Sequence, residues 1–195
     1  MCFNKLFKIK ISNNLIILYF YAATLLLSLV ALLGSIFIEN VILIEPCILC
    51  ILQRLCFILI LITSFIMLII NYFLITHKAL INKFLLRFLL NLTGTVSVNL
   101  FSLIGMLIAA RQSWLQVFHS SVISSCGAGL KALLREYNIL QIISMAIQGD
   151  LSCSSIGMRI LGLSLANWGL ILFSMICLLG IIIILKLHKQ IFRII

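Results

Sequence analysis

Charge is scarce in this chain: 9% of its 195 residues are charged, against 64% that are hydrophobic, and proline occurs once. Ordinary soluble domains carry about 25% charged residues, so this usage excludes a water-soluble domain. No βαβ pattern surrounds the C-x-x-C pair Cys47 and Cys50, which excludes the arrangement of soluble thiol oxidoreductases. The three histidines form no constellation: His77 and His188 fall on one side of the membrane and His119 stands alone on the other. No metal site is therefore expected, whether zinc or a haem clamp. The basic residues that give the net charge of +10 are dispersed at the ends of apolar segments, not clustered on a soluble face. That distribution argues against a nucleic-acid partner.

What the chain does have is apolar length. Four segments, roughly 15–38, 51–75, 88–110 and 167–185, are long enough to cross a hydrocarbon core. The first is too long for a signal-peptide core and no small-residue cleavage site follows it, so it reads as a retained helix. Thr93, Thr95, Ser97, Asn99 and Ser102 interrupt the third, and such residues suit helix–helix contact better than lipid. The expected fold is all-α: one membrane domain over 1–195, a four-helix bundle in the lipid bilayer.

Nine basic residues, Lys5, Lys8, Lys10, Lys78, Lys83, Arg87, Lys186, Lys189 and Arg193, fall on one side of these segments. The other side holds the 39–46 turn with none and the 111–166 segment with four. Cytoplasmic loops carry the excess of Lys and Arg, so both termini and the 76–87 loop are expected in the cytoplasm. The 111–166 loop then lies outside, and Leu130, Leu133, Leu134, Tyr137 and Leu140 recur within it at helical spacing. That pattern predicts an amphipathic helix, lying on the membrane surface or covering the end of the bundle.

The same topology places Cys47, Cys50, Cys126 and Cys153 outside the cytoplasm, where disulfides persist if the membrane is a bacterial inner membrane. Cys2, Cys56 and Cys177 read as ordinary or buried thiols. Pro46 suits a first helical position, which puts Cys47 and Cys50 on one helix face with Arg54 four residues further. A thiolate at a helix N-terminus is stabilised by the unpaired N–H groups and by nearby cationic charge. Arg54 falls about one turn inside the boundary, where a cation either snorkels or serves a function. The functional reading is that it stabilises a thiolate or an anionic acceptor, its planar fork matching a carbonyl oxygen of a flat ligand. A dithiol at this depth suggests electron exchange between protein thiols and something dissolved in the bilayer. Cys126 precedes Gly127 and Gly129, and Cys153 lies beyond Gly149, so this loop has the mobility that thiol–disulfide exchange requires.

Several segments together resemble the DsbB family of bacterial disulfide bond formation proteins. They are Pro46-Cys47-Ile48-Leu49-Cys50-Ile51-Leu52-Gln53-Arg54, Ala109-Ala110-Arg111-Gln112-Ser113-Trp114-Leu115-Gln116, Cys126-Gly127, Gly149-Asp150-Leu151-Ser152-Cys153, and Leu161-Gly162-Leu163-Ser164 with Trp168. The resemblance implies a four-helix membrane enzyme that reoxidises a periplasmic DsbA-like thiol oxidase and passes the electrons to membrane quinone, ubiquinone or menaquinone. DsbA is a strong oxidant, about −120 mV, so its reoxidation needs an acceptor of higher potential. The resemblance further implies redox-active disulfides Cys47–Cys50 and Cys126–Cys153. Cys126 would form the mixed disulfide with the partner, and Cys153 would attack Cys47. Cys50 and Arg54 would face the quinone, with Arg111 in a supporting role. Two rivals from other classes are a membrane scaffold or sensor braced by structural disulfides, and a small transporter. The second lacks the charged or broken helices of a midplane site.

Overall fold

The computed structural model describes residues 2–42, 48–76, 84–118, 138, 140–141, 144, 159–160 and 162–192. Four helices carry the fold: α1 (Cys2–Ile42), α2 (Ile48–Thr76), α3 (Phe84–Phe118) and α4 (Leu165–Phe192). Each contains a stretch apolar and long enough to cross a membrane: Leu15–Val41, Ile48–Leu74, Leu86–Gln116 and Leu165–Lys189. At 1.5 Å per residue, the 27 residues of the first span about 40 Å, against a hydrocarbon core of about 30 Å, which leaves length for tilt. The architecture is therefore the expected all-α four-helix membrane bundle. Cys47, Cys126 and Cys153 lie outside the described residues, as does most of the expected amphipathic helix; Leu140 from that stretch is exposed.

The bundle buries its polar side chains and turns its aliphatic ones outward, the arrangement that a lipid solvent favours. Leu26, Val30, Leu33 and Phe37 on α1 and Leu178, Ile182 and Leu185 on α4 are exposed, while Thr24, Ser28, Ser64, Thr95 and Ser102 are fully buried. With no hydrophobic force between helices in lipid, hydrogen bonds and close packing must hold the bundle together. Tyr21 Oη donates to the Asn91 carbonyl at 3.2 Å and lies 3.1 Å from Thr95 Oγ1. Asn71 Nδ2 donates to Asn91 Oδ1 at 2.8 Å, and the Thr24 and Ser64 hydroxyls bond at 2.9 Å. These contacts join α1, α2 and α3, each worth about 0.6 kcal/mol by the average for interhelical bonds in membranes.

The expectation that the hydroxylated residues of α3 face other helices holds for Thr95 and Ser102 but not for Thr93, which is exposed. The Thr93 hydroxyl donates to the Leu90 carbonyl of its own helix at 3.0 Å, so facing lipid leaves no polar group unsatisfied. Between α3 and α4 the contact is made by absence of a side chain. A Cβ on Gly105 would overlap Phe173 Cε1, so only glycine lets the buried Phe173 ring lie against α3. The same ring stacks on Phe57 of α2, with centroids 4.0 Å apart and planes 13° from parallel. Three helices thus meet on one aromatic pair.

A short antiparallel ribbon leads into α4. Strand β1 (Arg159–Ile160) pairs with β2 (Leu163–Ser164), Arg159 opposite Ser164 and Ile160 opposite Leu163. Gly162 turns the chain at φ +82°, a conformation that glycine adopts without a Cβ penalty. Ser164 then caps α4, its hydroxyl oxygen accepting the Asn167 N–H at 3.4 Å.

Candidate functional site

Cys50 lies within the first turn of α2, half-buried, with Leu49 beside it packed almost completely into the bundle. Because α2 is a regular helix here, the polar side chains that follow, Gln53 and Arg54, return to the same end of the bundle one turn on. Cys50, Gln53 and Arg54 all line one cavity of about 280 Å³. Its remaining walls come from α1 (Val30, Ala31, Gly34, Ser35, Ile38), from Phe57 of α2, and from α4 (Leu165, Ala166, Trp168, Gly169, Leu172). The wall is mostly apolar, with polar atoms concentrated at Cys50, Gln53, Arg54 and Ser35. That is the usual make-up of a small-molecule site, whose volumes run about 300–1,000 Å³. The cavity fills the cleft between α1 and α4, the two neighbouring helices that touch least, and reaches the surface at the exposed Gly34.

Arg54 does not simply extend toward the headgroups. Its Nε donates to Ser35 Oγ at 2.5 Å, Nη2 reaches the Ser35 carbonyl at 3.4 Å, and Nη1 bonds the Glu39 carboxylate. These three bonds tie it to α1 along one edge of the cavity. A guanidinium has five N–H donors, so among the described residues two remain for a further acceptor. Cys50 and Arg54 are thereby brought to one cavity, in keeping with their spacing of four. Arg111 is half-buried on α3 and is not among the described residues that line the cavity.

The sequence alone assigns no separate role to Gln53 and Gln112, and the structure joins them. Gln53 Nε2 donates to Gln112 Oε1 at 2.7 Å, and Gln112 Nε2 donates to Cys50 Sγ at 3.1 Å. Both glutamines are buried. Gln53 Oε1 lies 2.7 Å from where a Cβ on Gly169 would be, so the side chain fits against α4 only because that residue is glycine. The available signal was the cost of burying an amide in an apolar span without a partner, which makes each such glutamine a candidate for pairing. Glu39 was legible only as part of a turn; its pairing with a cation fifteen residues away depends on how α1 and α2 pack. Trp168 and Trp114 fall at this same end, the level at which indole rings sit at a membrane interface. No group of three or more His, Cys, Asp or Glu that could hold a metal occurs among the described residues.

The chain matches the family model described as disulfide bond formation protein DsbB over residues 18–183. It is 32% identical over 165 residues to disulfide bond formation protein B of Polaromonas sp. (strain JS666), covering 84% of this chain and 89% of that protein. The protein of the same name from Polaromonas naphthalenivorans is 30% identical over 169 residues, 86% of this chain and 92% of its own. That from Albidiferax ferrireducens is 31% identical over 148 residues, 76% of each. No solved structure matches. The chain belongs to the DsbB family of disulfide bond formation membrane proteins.

Proposed function

We propose that this protein reoxidises a periplasmic DsbA-like dithiol protein and delivers the electrons to membrane quinone. The observation that carries the reading is the opening of Cys50 and Arg54 onto one apolar, lipid-accessible cavity of about 280 Å³. The residues fit a quinone ring: apolar walls at Phe57 and Leu172, small residues at Gly34 and Gly169, and guanidinium donors at one edge. Bound there, a quinone supplies an acceptor for two electrons and two protons.

This chain's own part follows from its residues. Arg54, fixed by Ser35 and Glu39, presents N–H donors toward an oxygen that gains negative charge. Cys50 is the thiol-bearing residue that lines the cavity. The aliphatic walls exclude water and so strengthen both interactions. Family resemblance supports the rest of the relay. Cys126 takes the partner into a mixed disulfide, and the partner's second thiol resolves it, leaving Cys126 and Cys153 reduced. Cys153 then attacks Cys47, forming a Cys153–Cys47 mixed disulfide and releasing Cys50; Cys126 attacks Cys153, which reforms Cys126–Cys153 and releases Cys47. The Cys47 and Cys50 thiols would return to a disulfide by giving up two electrons and two protons to the quinone. Each round moves two electrons and two protons from the partner dithiol to the acceptor, and every disulfide opened is reformed. The basic residues at the opposite ends of the helices support an orientation with both termini cytoplasmic and Cys50 on the periplasmic side of the inner membrane.

The test is quinone-dependent oxidation of a reduced DsbA-like partner by the purified protein, beside Cys50→Ser and Cys126→Ser. Turnover by the wild type that both substitutions abolish is the expected result. No turnover with either quinone class, in a folded protein with its cysteines oxidised, would return the disulfides to a bracing role.

A further inference from the structure

We infer that Gln112 is a positioning residue for Cys50, and that Gln53 sets its direction. The inference rests on the reading of Cys50 as the electron-donating thiol and goes beyond it, since that reading assigns nothing to either glutamine. An amide has a donor end and an acceptor end, and which end meets the sulfur decides its effect. Here two hydrogen bonds set the order, and a third contact seats Gln53. Gln53 Nε2–H occupies Gln112 Oε1 at 2.7 Å, which leaves the Gln112 amino group to meet Cys50 Sγ at 3.1 Å. Gln53 Oε1 in turn lies against Gly169, where a Cβ would come within 2.7 Å. One amide chain thus runs from Gln53 of α2 through Gln112 of α3 back to the sulfur.

A donor aimed at sulfur favours thiolate over thiol, because a hydrogen bond to a charged acceptor is stronger than one to a neutral acceptor. Both amides are buried, so water does not compete for these bonds. The charged residues at this end, among the described residues, are Arg54, Glu39 bound to it, Arg111 beside Gln112, and Arg159 on the strand that leads into α4; the first charged residue of α4 is Lys186, far along the helix. A neutral donor supplements Arg54 without adding charge to an apolar site. It also leaves the guanidinium donors for the acceptor.

The experiment is alkylation of the reduced full-length protein across acid to alkaline pH, with Cys50 and Cys56 each followed by peptide mass spectrometry. Gln112→Leu keeps most of the volume and removes the donor. Cys50 should then alkylate about tenfold more slowly near neutral pH and at an unchanged rate at alkaline pH, a displacement of about one pH unit. Gln53→Leu is the second variant. It keeps most of the volume and removes the donor that holds Gln112 Oε1, so Gln112 is free to turn its carbonyl toward the sulfur. A loss in the same direction is expected, although Gln112 itself is unchanged. The buried Cys56, two turns along α2, reports packing and should not respond. The inference is overturned if either variant keeps the wild-type profile, or if Cys56 changes in parallel with Cys50. Wild-type quinone turnover tests the underlying reading separately. A displaced Cys50 profile in a protein that reduces no quinone would keep the amide chain and remove the acceptor.

Discussion

Filling the cavity from Gly34 should block the acceptor without disturbing the fold. A Cβ added at Gly34 meets nothing within 4 Å, while Gly34 lines the cavity and is exposed. A side chain on a helix leans toward the N-terminus, here over Val30 and Ala31, which line the same cavity. Leucine adds four heavy atoms. At about 30 Å³ each, the share of one water, they remove about 120 Å³. In a cavity of about 280 Å³, already at the small end for a small-molecule site, that is a large loss. Misfit by one or a few methylenes costs about 1–3 kcal/mol, or about 10–200-fold. The expected result for Gly34→Leu is therefore a KM for quinone raised at least about tenfold. Gly34→Ala should have a small effect and Gly34→Phe a larger one than leucine. Thermal unfolding in detergent should stay within about 1 kcal/mol of wild type, because glycine is the poorer helix former. A flat KM across alanine, leucine and phenylalanine, in folded protein, would show that the acceptor binds elsewhere.

Arg54→Ala removes the cavity's guanidinium donors; the lost charge-assisted bond, about 1.5–3 kcal/mol, predicts about 10–100-fold lower kcat/KM for quinone, and unchanged quinone kinetics would remove Arg54 from the site. Its partner should still be captured normally. Cys153→Ser leaves Cys126 as a lone thiol; it should attack the disulfide of the oxidised partner and accumulate as a mixed disulfide on a non-reducing gel, and no trapped species would move the partner-binding cysteine elsewhere. Gly105→Ala forces a Cβ into a Phe173 ring that Phe57 backs at 4.0 Å. Overpacking of that kind costs about 1–3 kcal/mol, to be read as a lower midpoint in denaturant titration; an unchanged midpoint would mean that the aromatic pair has room to yield.

Hydrophobic length and the scarcity of charge make the four-helix membrane fold legible in the sequence, because a span is a local property of the chain. The relation of Cys50 to Arg54 is legible for the same reason, both lying on one helix at a spacing of four. Gln53 with Gln112 and Arg54 with Glu39 are not, since each pair joins two helices and depends on their rotation about the bundle axis. Thr93 shows the opposite failure. Its residue type suggests a helix contact, yet a hydroxyl that bonds its own backbone is indifferent to which way it faces. The motifs around Cys126 and Cys153 are visible in sequence and lie outside the described residues.

The gap at Gly34 between α1 and α4 faces hydrocarbon, so whatever fills the cavity arrives by lateral diffusion within the leaflet. Its effective concentration is then a mole fraction per lipid, not a molarity in the surrounding buffer. Short-tailed analogues that partition weakly and long-tailed ones that partition strongly should give discordant apparent affinities in dilute micelles. Expressed per mole of amphiphile, the two sets of values should draw together.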